Sequence, residues 1–323
     1  MSARLWMSTA IAVAFLAQNA VSVAADLRIG IITPPPHEWS KTATRVAEDI
    51  KAKSGGKINL LVFPSGQLGN EAQMLQQLQS GVLDFAFLTL GEFANRDPNY
   101  GALLAPYLVK NVAGARALLK GPAAQELLAG MSKFGVVGLG YGMAGMRQIL
   151  TAGEVKAAGD LSGKKIRTIP LAPELDFWRM LGSAPTPMPL PAVYDAFANR
   201  QIDGMQIDFE GTWNTKYYTN AGTMIASNHM MFPMIAVASA RKWAIFSKED
   251  EELIASVMKA QIDQLVASYA RIDADYLAKI RTTKVSIVEA SRPFFGPAID
   301  RWYSEWRNKA PILKKLEEEA GKL

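Results

Sequence analysis

Residues 27–36 read LRIGIITPPP, and they begin the pattern that decides the fold of this 323-residue chain. Apolar side chains first occupy alternate positions, as in a β-strand, until three prolines end the strand. Apolar residues at helical spacing follow over 43–50, and a β-rich run covers 58–63. A second helix, which ends at Gly81, precedes a buried strand over 83–90. This β-α-β-α-β succession predicts a mainly parallel sheet with helices on both faces.

The alternation of strands and helices continues toward the C-terminus. The pattern predicts further strands over 134–139, 146–150, 165–169, 202–207 and 234–239, and further helices over 111–120, 122–133, 173–181 and 191–199. A long helical pattern covers 248–280, and at about 1.5 Å per residue it could reach across two lobes. A chain of roughly 300 residues is more often divided into two units than folded as one. We therefore predict an α/β fold with two lobes.

The first 25 residues have the features of a cleaved export signal. One charged residue, Arg4, precedes a short apolar run over 10–17, and Val23 and Ala25 occupy the −3 and −1 positions of a small-residue cleavage site. The run is shorter than the roughly 20 apolar residues of a membrane-spanning helix. The alternative is a frayed N-terminal helix. The pattern favours a signal peptide over 1–25 and a location in a Gram-negative periplasm.

The composition excludes several classes of function. The chain has no Cys and two His, which rules out a disulfide framework, a zinc ribbon and a thiol nucleophile. Its 35 Lys and Arg against 30 Asp and Glu give a formal charge of +5 that is spread along the chain. Because no basic tract or arginine-rich arm is present, we expect no nucleic-acid partner.

The enzyme motifs that can be tested against this sequence mostly fail. Residues 140–145 read GYGMAG and match the dinucleotide-binding pattern G-x-G-x-x-G, but the strand-like run 146–150 follows where that site needs a helix. Residues 159–164 are one residue too short for a phosphate-binding loop, and no G-x-S-x-G nucleophile motif occurs. We therefore predict no catalytic residues and no cofactor.

Two arginines in short strands are the stronger chemical signal. Arg167 lies in an apolar-flanked strand that runs into a proline, and Arg147 lies near the start of another strand. A guanidinium can bind a carboxylate through two parallel hydrogen bonds. Ligands of open α/β sheets bind beyond the carboxyl ends of the strands, where such residues are expected. The alternative is a surface arginine that forms an ion pair with a nearby Asp or Glu.

Five motifs in a characteristic order resemble one family of transport proteins. They are SGQLG at 65–69, KIR at 165–167, LGSAPTPM at 181–188, VYDAF at 193–197 and IDG at 202–204. Their order, over nearly the whole chain after residue 25, resembles the substrate-binding subunits of tripartite ATP-independent periplasmic (TRAP) transporters of the DctP type. The resemblance implies a function in capturing an organic acid between two lobes and delivering it to the small and large membrane subunits.

The resemblance also implies how the lobes divide the chain. Two α/β lobes joined by crossing strands, with a long helix spanning both, are expected. Lobe I would comprise 26–145 and about 233–272, and lobe II would comprise about 146–232 and 273–323. A monomer is expected.

The resemblance assigns roles to individual residues. Arg167 is expected to hold the ligand carboxylate, and Arg147 is expected to contribute a second contact. Further positions match regions that line the cleft of the family: Asn70, Thr89, Glu92, Leu190, Gln206 and Ile207.

The chain departs from the family pattern after the Asp-Gly motif. Gln206 and Ile207 stand where the family often has Glu-Asn or Glu-Trp, and some members use that Glu to bind a metal with the ligand. Gln206 is neutral and a poorer metal ligand, and although Asp208 could compensate, we predict no metal. Trp213 and Phe232 are expected as apolar walls of the pocket, with packing in the core as the alternative.

These departures favour a small or medium monocarboxylate with an apolar or aromatic body. Ile207 and Pro170 replace positions that are commonly polar in sialic-acid binders, which disfavours a polyhydroxylated acid. A dicarboxylate stays open, because Arg147 could hold a second acid group. Two other functions also stay open, an exported enzyme on the same scaffold and a sensory protein that hands its ligand to a receptor.

Overall fold

The computed structural model describes residues 25–323. The predicted signal peptide over 1–25 therefore lies outside the described residues except for Ala25, where the first strand begins. Within 25–323, no helix is both long enough and apolar enough to cross a membrane.

The N-terminal part of the described chain alternates strands and helices as predicted. Its elements are β1 (Ala25–Ile31), α1 (Glu38–Lys53), β2 (Ile58–Phe63), α2 (Glu71–Ser80), β3 (Phe85–Thr89), α3 (Val112–Leu119), α4 (Pro122–Ala129) and β4 (Val136–Thr151). The first two helices are capped at their N-termini by side chains that accept a backbone N–H. His37 caps α1, and Asn70 caps α2. These caps fix where the chain turns from strand to helix.

The C-terminal part adds short strands and the longest helix. Its elements are β5 (Lys165–Thr168), α5 (Ala172–Met180), β6 (Ala184–Pro187), α6 (Val193–Ala198), β7 (Gly204–Ile207), α7 (Phe209–Asn214), β8 (Thr223–Ser239), α8 (Ala240–Trp243), α9 (Lys248–Arg281), β9 (Ser286–Glu289), α10 (Ala298–Lys309) and α11 (Ile312–Ala320).

The strands form a sheet in the order β2-β1-β3-β8-β4-β7-β5-β6, with β9 beside β8. Strands β2, β1 and β3 are mutually parallel on one side, and β7, β5 and β6 are mutually parallel on the other. Between them, β4 and β8 run antiparallel along most of their length. One end of β8 pairs with β3, and the far end of β4 pairs with β7. The chain thus has two α/β lobes joined by crossing strands, which confirms the predicted fold class.

The predicted long helix is also confirmed. Helix α9 covers 34 residues, which corresponds to about 50 Å at 1.5 Å per residue. It begins at the capping side chain of Ser247 and carries acidic residues in its first turn and basic residues in its last, as the helix dipole favours. It packs against α1, against the crossing strand β4 and against α7, so it contacts both lobes.

The crossing strands are longer than predicted. Residues 136–139 of the first predicted run and the whole run 146–150 belong to one strand, β4, and the run 234–239 is only the end of β8. The glycine-rich segment 140–145 hid this continuity, because its irregular pattern reflects shifts of register between β4 and β8. Gly145 has φ +63°, a left-handed conformation that favours glycine. Since the segment is extended strand, it offers no helix N-terminus to a dinucleotide.

Candidate binding cleft

The described residues enclose a cavity of about 150 Å³ between the two lobes. Its wall includes the last residues of β3 and β7, Thr89 and Ile207, and residues just beyond β1 and β5. The parallel strands of both lobes therefore point their carboxyl ends at the same cavity. This is the position in which open α/β sheets bind their ligands.

Arg167 is a buried cation on the wall of this cavity. Its side chain lies on β5 and is 1% exposed. Its Nε donates a hydrogen bond of 3.0 Å to the carbonyl oxygen of Met188. Burial lowers the pKa of its guanidinium to about 10, and none of the acidic groups in the described part of the chain lies within ion-pairing distance. Arg167 therefore brings to the cavity a positive charge without a contacting counter-ion, which is costly unless an anion approaches it.

Arg147 reaches the same cavity from the crossing strand β4, but it is already paired. Its Nη1 donates to Asp208 Oδ2 at 2.7 Å, and both side chains are 4% exposed. The Phe232 ring covers one face of the guanidinium, with 3.4 Å between Cζ and the ring centroid. Among the described residues, Arg147 Nε has no hydrogen-bond partner. Arg147 thus has the acidic partner of the sequence-based alternative, but the pair is buried at the cavity and is not at the surface.

Asp208 is held in place from two sides. It is the N-cap of α7, where its Oδ1 accepts a hydrogen bond of 2.6 Å from the backbone N–H of Gly211. Its other oxygen accepts from Arg147. A short carboxylate at a helix N-terminus with a charged partner is strongly fixed.

Two acidic side chains lie on the wall contributed by the first lobe. Glu71, the first residue of α2, accepts hydrogen bonds from the backbone N–H of Thr89 at 2.6 Å and from its hydroxyl at 3.2 Å. Burial raises the pKa of Glu71 to about 7. Glu92 accepts a hydrogen bond from Arg96 at 3.1 Å, and burial also raises its pKa. At neutral pH this wall can therefore both donate and accept hydrogen bonds.

A third acidic residue, Glu174 on α5, influences both cleft arginines without lining the cavity. Its Oε2 accepts a hydrogen bond of 3.1 Å from the backbone N–H of Ile169. Burial raises the pKa of Glu174, and the positive charges of Arg147 and Arg167 oppose that rise. Glu174 is thus electrostatically coupled to both arginines.

The structure places all but two of the predicted site residues on the cavity wall. Those on the wall are Arg147, Arg167, Asn70, Thr89, Glu92, Leu190, Ile207, Asp208 and Phe232. Gln206 is not among the lining residues, because neighbouring strand residues point to opposite faces and Ile207 takes the cavity side. The Oε1 of Gln206 instead accepts a hydrogen bond of 2.8 Å from Trp178. Trp213 is also outside the wall and stacks on Tyr218.

Sequence reasoning missed several residues of the wall. His37 and Glu71 stand at the N-termini of α1 and α2, which point toward the cavity, and Thr33 and Pro34 follow β1. Thr33 and Pro34 could have been found, because they lie just after the parallel strand β1, as Asp208 lies just after β7. His37 and Glu71 lie several residues beyond β1 and β2, so the strand ends alone do not mark them.

A further acidic residue, Glu210 on α7, joins three helices beside the cavity. Its Oε1 accepts a hydrogen bond of 2.8 Å from the backbone N–H of Glu38, the first residue of α1. Its Oε2 accepts a hydrogen bond of 2.8 Å from the hydroxyl of Tyr269 on α9 and lies 3.5 Å from His37 Nε2. Glu210 therefore links the second lobe to α1 and to the long helix.

His37, Asp208 and Glu210 place potential metal-ligand atoms within 4.8 Å of one another. His37 Nδ1 accepts from the backbone N–H of Trp39, which leaves the proton of a neutral ring on Nε2, toward Glu210. Both oxygens of Asp208 and both of Glu210 already accept hydrogen bonds. The His37 nitrogen that faces Glu210 therefore carries a hydrogen in place of a lone pair, so in this tautomer His37 is a hydrogen-bond donor and does not fit the role of a metal ligand. Gln206 does not complete a site, because it lies outside the cavity wall, where its oxygen accepts from Trp178.

One buried pair resembles a nucleophile with its base. Ser227 Oγ lies 2.7 Å from His229 Nδ1, and both residues are buried away from the cavity wall. Burial, and secondarily the charge of Arg147, lower the pKa of His229 to about 3. An imidazole with that pKa is a weak base, so the pair is poorly suited to activate the hydroxyl.

Comparison with known proteins identifies a family of solute-binding proteins. A family model described as DctP, bacterial extracellular solute-binding protein, family 7, matches residues 29–309. The sialic acid-binding periplasmic protein SiaP of Vibrio cholerae is 24% identical over 303 residues, which cover 93% of this chain and 94% of SiaP. The C4-dicarboxylate-binding periplasmic protein DctP of Shewanella loihica is 24% identical over 281 residues, which cover 87% of this chain and 82% of that protein.

A solved structure confirms the fold over most of the chain. The sugar acid binding protein DctPAm of Advenella mimigardefordensis, in complex with galactonate, superposes with a TM-score of 0.89 at 22% identity. The superposition covers 93% of this chain and 98% of that one.

Proposed function

Because the chain belongs to family 7 of the bacterial extracellular solute-binding proteins, the DctP family, we propose that its cleft binds an organic acid for delivery to TRAP membrane subunits. The family consists of substrate-binding proteins, and its TRAP members work in the periplasm. Export by a signal peptide over 1–25 and action as a monomer belong to the same proposal.

The observation that carries the proposal is that Arg167 is buried without a contacting counter-ion among the described residues. Its guanidinium is buried on the cavity wall, and its Nε donates only to the carbonyl oxygen of Met188. A ligand carboxylate would supply the counter-ion that this buried charge lacks, through the paired hydrogen bonds that guanidinium groups form. The three similar proteins named above are each associated with an organic acid. SiaP is named for sialic acid, the Shewanella protein for C4-dicarboxylates, and the Advenella structure contains galactonate.

The remainder of the wall supports an acid whose body is partly apolar. Ile169, Leu190, Ile207 and Phe232 form apolar parts of the cavity, and Pro170 lies beside them. Thr89 and the carboxyl groups of the first lobe supply hydrogen-bonding groups on the opposite side. Such a wall suits a small or medium acid that carries an apolar or aromatic body and few hydroxyl groups.

The division of the chain into lobes follows from the same proposal. We place lobe I at 26–145 with about 233–272, and lobe II at about 146–232 with 273–323. The pairing of β3 with the end of β8 and of β7 with the end of β4 supports boundaries within the crossing strands.

A binding experiment tests the proposal. Protein that has been unfolded, dialysed and refolded is screened by thermal shift against aliphatic, aromatic and sugar acids, each paired with its amide. An acid present at about 100 times its Kd should stabilise the fold by about 2.7 kcal/mol, and its amide should not. Arg167→Ala should weaken the binding of that acid about 10- to 150-fold, because hydrogen bonds between charged groups are worth about 1.5–3 kcal/mol.

The matched control is Arg179→Ala. Arg179 pairs with Asp176 at the surface and does not line the cavity, so its removal should leave the Kd unchanged. Equal binding of acid and amide, or an Arg167→Ala protein with unchanged affinity, would contradict the proposal.

A further inference from the structure

We infer that the cleft selects acids with a single carboxylate and rejects dicarboxylates, and that Asp208 determines this selectivity. The inference rests on the proposed function, since it concerns which organic acids the same site accepts. This selectivity would distinguish the chain from some similar proteins, because one relative is named for C4-dicarboxylates and a solved structure of another contains succinate.

The first step is the charge of Arg147. Its Nη1 and Asp208 Oδ2 are 2.7 Å apart and almost fully removed from solvent, so the two charges cancel at contact distance. Phe232 covers a face of the same guanidinium. Arg147 can therefore still donate a hydrogen bond to a neutral ligand oxygen, but it has no net charge left for a second carboxylate.

The second step is that Asp208 cannot easily give up its partner. Its Oδ1 caps α7 through the backbone N–H of Gly211, which fixes the carboxylate beside Arg147. A ligand carboxylate that took Arg147 would leave Asp208 buried and without its counter-ion, which is costly in a protein interior.

The third step is the charge of the remaining wall. Glu71 and Glu92 lie on the cavity side contributed by the first lobe, and Glu174, which is outside the wall, is electrostatically coupled to both arginines. Among the groups that line the cavity in the described chain, Arg147 and Arg167 are the only arginine or lysine side chains. With Arg147 neutralised, one uncompensated charge remains, and it suffices for one carboxylate.

The test compares ligands that differ by one charge on the same skeleton. Three pairs are titrated by calorimetry into refolded protein: succinate and succinamate, galactarate and galactonate, and terephthalate and 4-carbamoylbenzoate. For each skeleton that binds, the singly charged acid should bind at least tenfold more tightly than the doubly charged one. Asp208→Asn keeps a capping side chain but removes the charge, and it should shift this ratio at least tenfold toward the diacid.

Two further variants complete the design. Asp208→Ser also retains a residue that caps helices, and it serves if the asparagine variant does not fold. Asp273→Asn is the matched control, because Asp273 is a buried carboxyl near Asp208 that does not line the cavity. Its substitution should leave the ratio of the two affinities unchanged.

The outcomes separate this inference from the proposed function. A diacid that binds the unaltered protein as tightly as its monoacid partner would overturn the inference and leave carboxylate binding intact. A ratio that stays unchanged in both Asp208 variants would overturn the role of Asp208. Failure of every acid in the panel to bind would overturn the proposed function, and the inference with it.

Discussion

Glu210 Oε1 accepts a hydrogen bond of 2.8 Å from the backbone N–H of Glu38, although the two residues lie 172 positions apart in the sequence. Glu38 is the first residue of α1, whose unpaired N–H groups and dipole favour a carboxylate at this end. Glu210 lies on α7 in the other lobe. The bond therefore forms only when the lobes are close together, and it contributes to the stability of the arrangement that encloses the cavity.

Replacing Glu210 should weaken ligand binding without removing a contact to the ligand. Glu210→Ala removes the acceptor of the Glu38 N–H and of the Tyr269 hydroxyl. Since hydrogen bonds to charged groups contribute about 1.5–3 kcal/mol, we expect a Kd raised about tenfold or more and a melting temperature lowered by several degrees. Calorimetry and thermal unfolding measure both. Glu154→Ala, at an exposed pair with Lys156, is the control, and equal behaviour of the two variants would contradict this role of Glu210.

The place of the cleft could be predicted because it follows from local pattern. Arg167 and Asp208 each occur in or directly after a short strand, and the carboxyl ends of parallel strands meet at one edge. The same reasoning could not separate Gln206 from Ile207, since adjacent strand residues face opposite sides and only the packing decides which side is the cavity.

Contacts between distant segments could not be predicted from the sequence. The Arg147–Asp208 pair joins a crossing strand to a helix cap, and Glu71 meets Thr89 only because α2 packs against β3. Residues 223–233 of β8 were missed for another reason. They include polar side chains and Pro233, but all except Asn228 are buried, so this part of the strand needs no alternation of polar and apolar residues.

The affinity for an acid should fall as the pH rises above 7. Burial raises the pKa of Glu71 to about 7, so near neutrality this wall of the cavity gains a negative charge as Glu71 loses its proton. A bound anion favours the protonated form, so binding takes up a proton. Between pH 6 and pH 8 we expect the Kd to rise up to about tenfold, which corresponds to one pKa unit. Calorimetry at the two pH values measures the change.

The control for this pH dependence is Glu71→Gln, which cannot ionise and should show a smaller change over the same range. Glu92 also faces the cavity, and burial raises its pKa, so a residual dependence on pH is expected in this variant. An unaltered protein whose Kd is the same at both pH values would contradict the prediction.

The stability of the fold should decrease with pH because of Asp273. Burial and the nearby charge of Asp208 raise the pKa of Asp273 from 3.8 to about 8. Between these values the folded state holds a proton that the unfolded state releases, so the free energy of unfolding falls as pH rises, by up to about 1.4 kcal/mol per unit. Asp273→Asn cannot ionise, and Asn can still accept from the backbone N–H of Met146. Urea unfolding at pH 5, 6.5 and 8 should show a shallower decline for this variant, and parallel curves would contradict the assignment.

Gly145 on β4 should tolerate no side chain, because two independent constraints meet there. Its φ of +63° is costly for other residues, and a Cβ would collide with the carboxyl group of Asp273. We expect Gly145→Ala to destabilise the protein by at least about 1 kcal/mol. Gly159→Ala is the matched control, since Gly159 is not in the left-handed region and a Cβ there meets no atom within 4 Å. Chemical unfolding of both variants measures the difference. If they were equally stable, the crossing strand would accommodate a methyl group at Gly145 by moving away from α9, and the close packing of these two elements would not be a constraint on the fold.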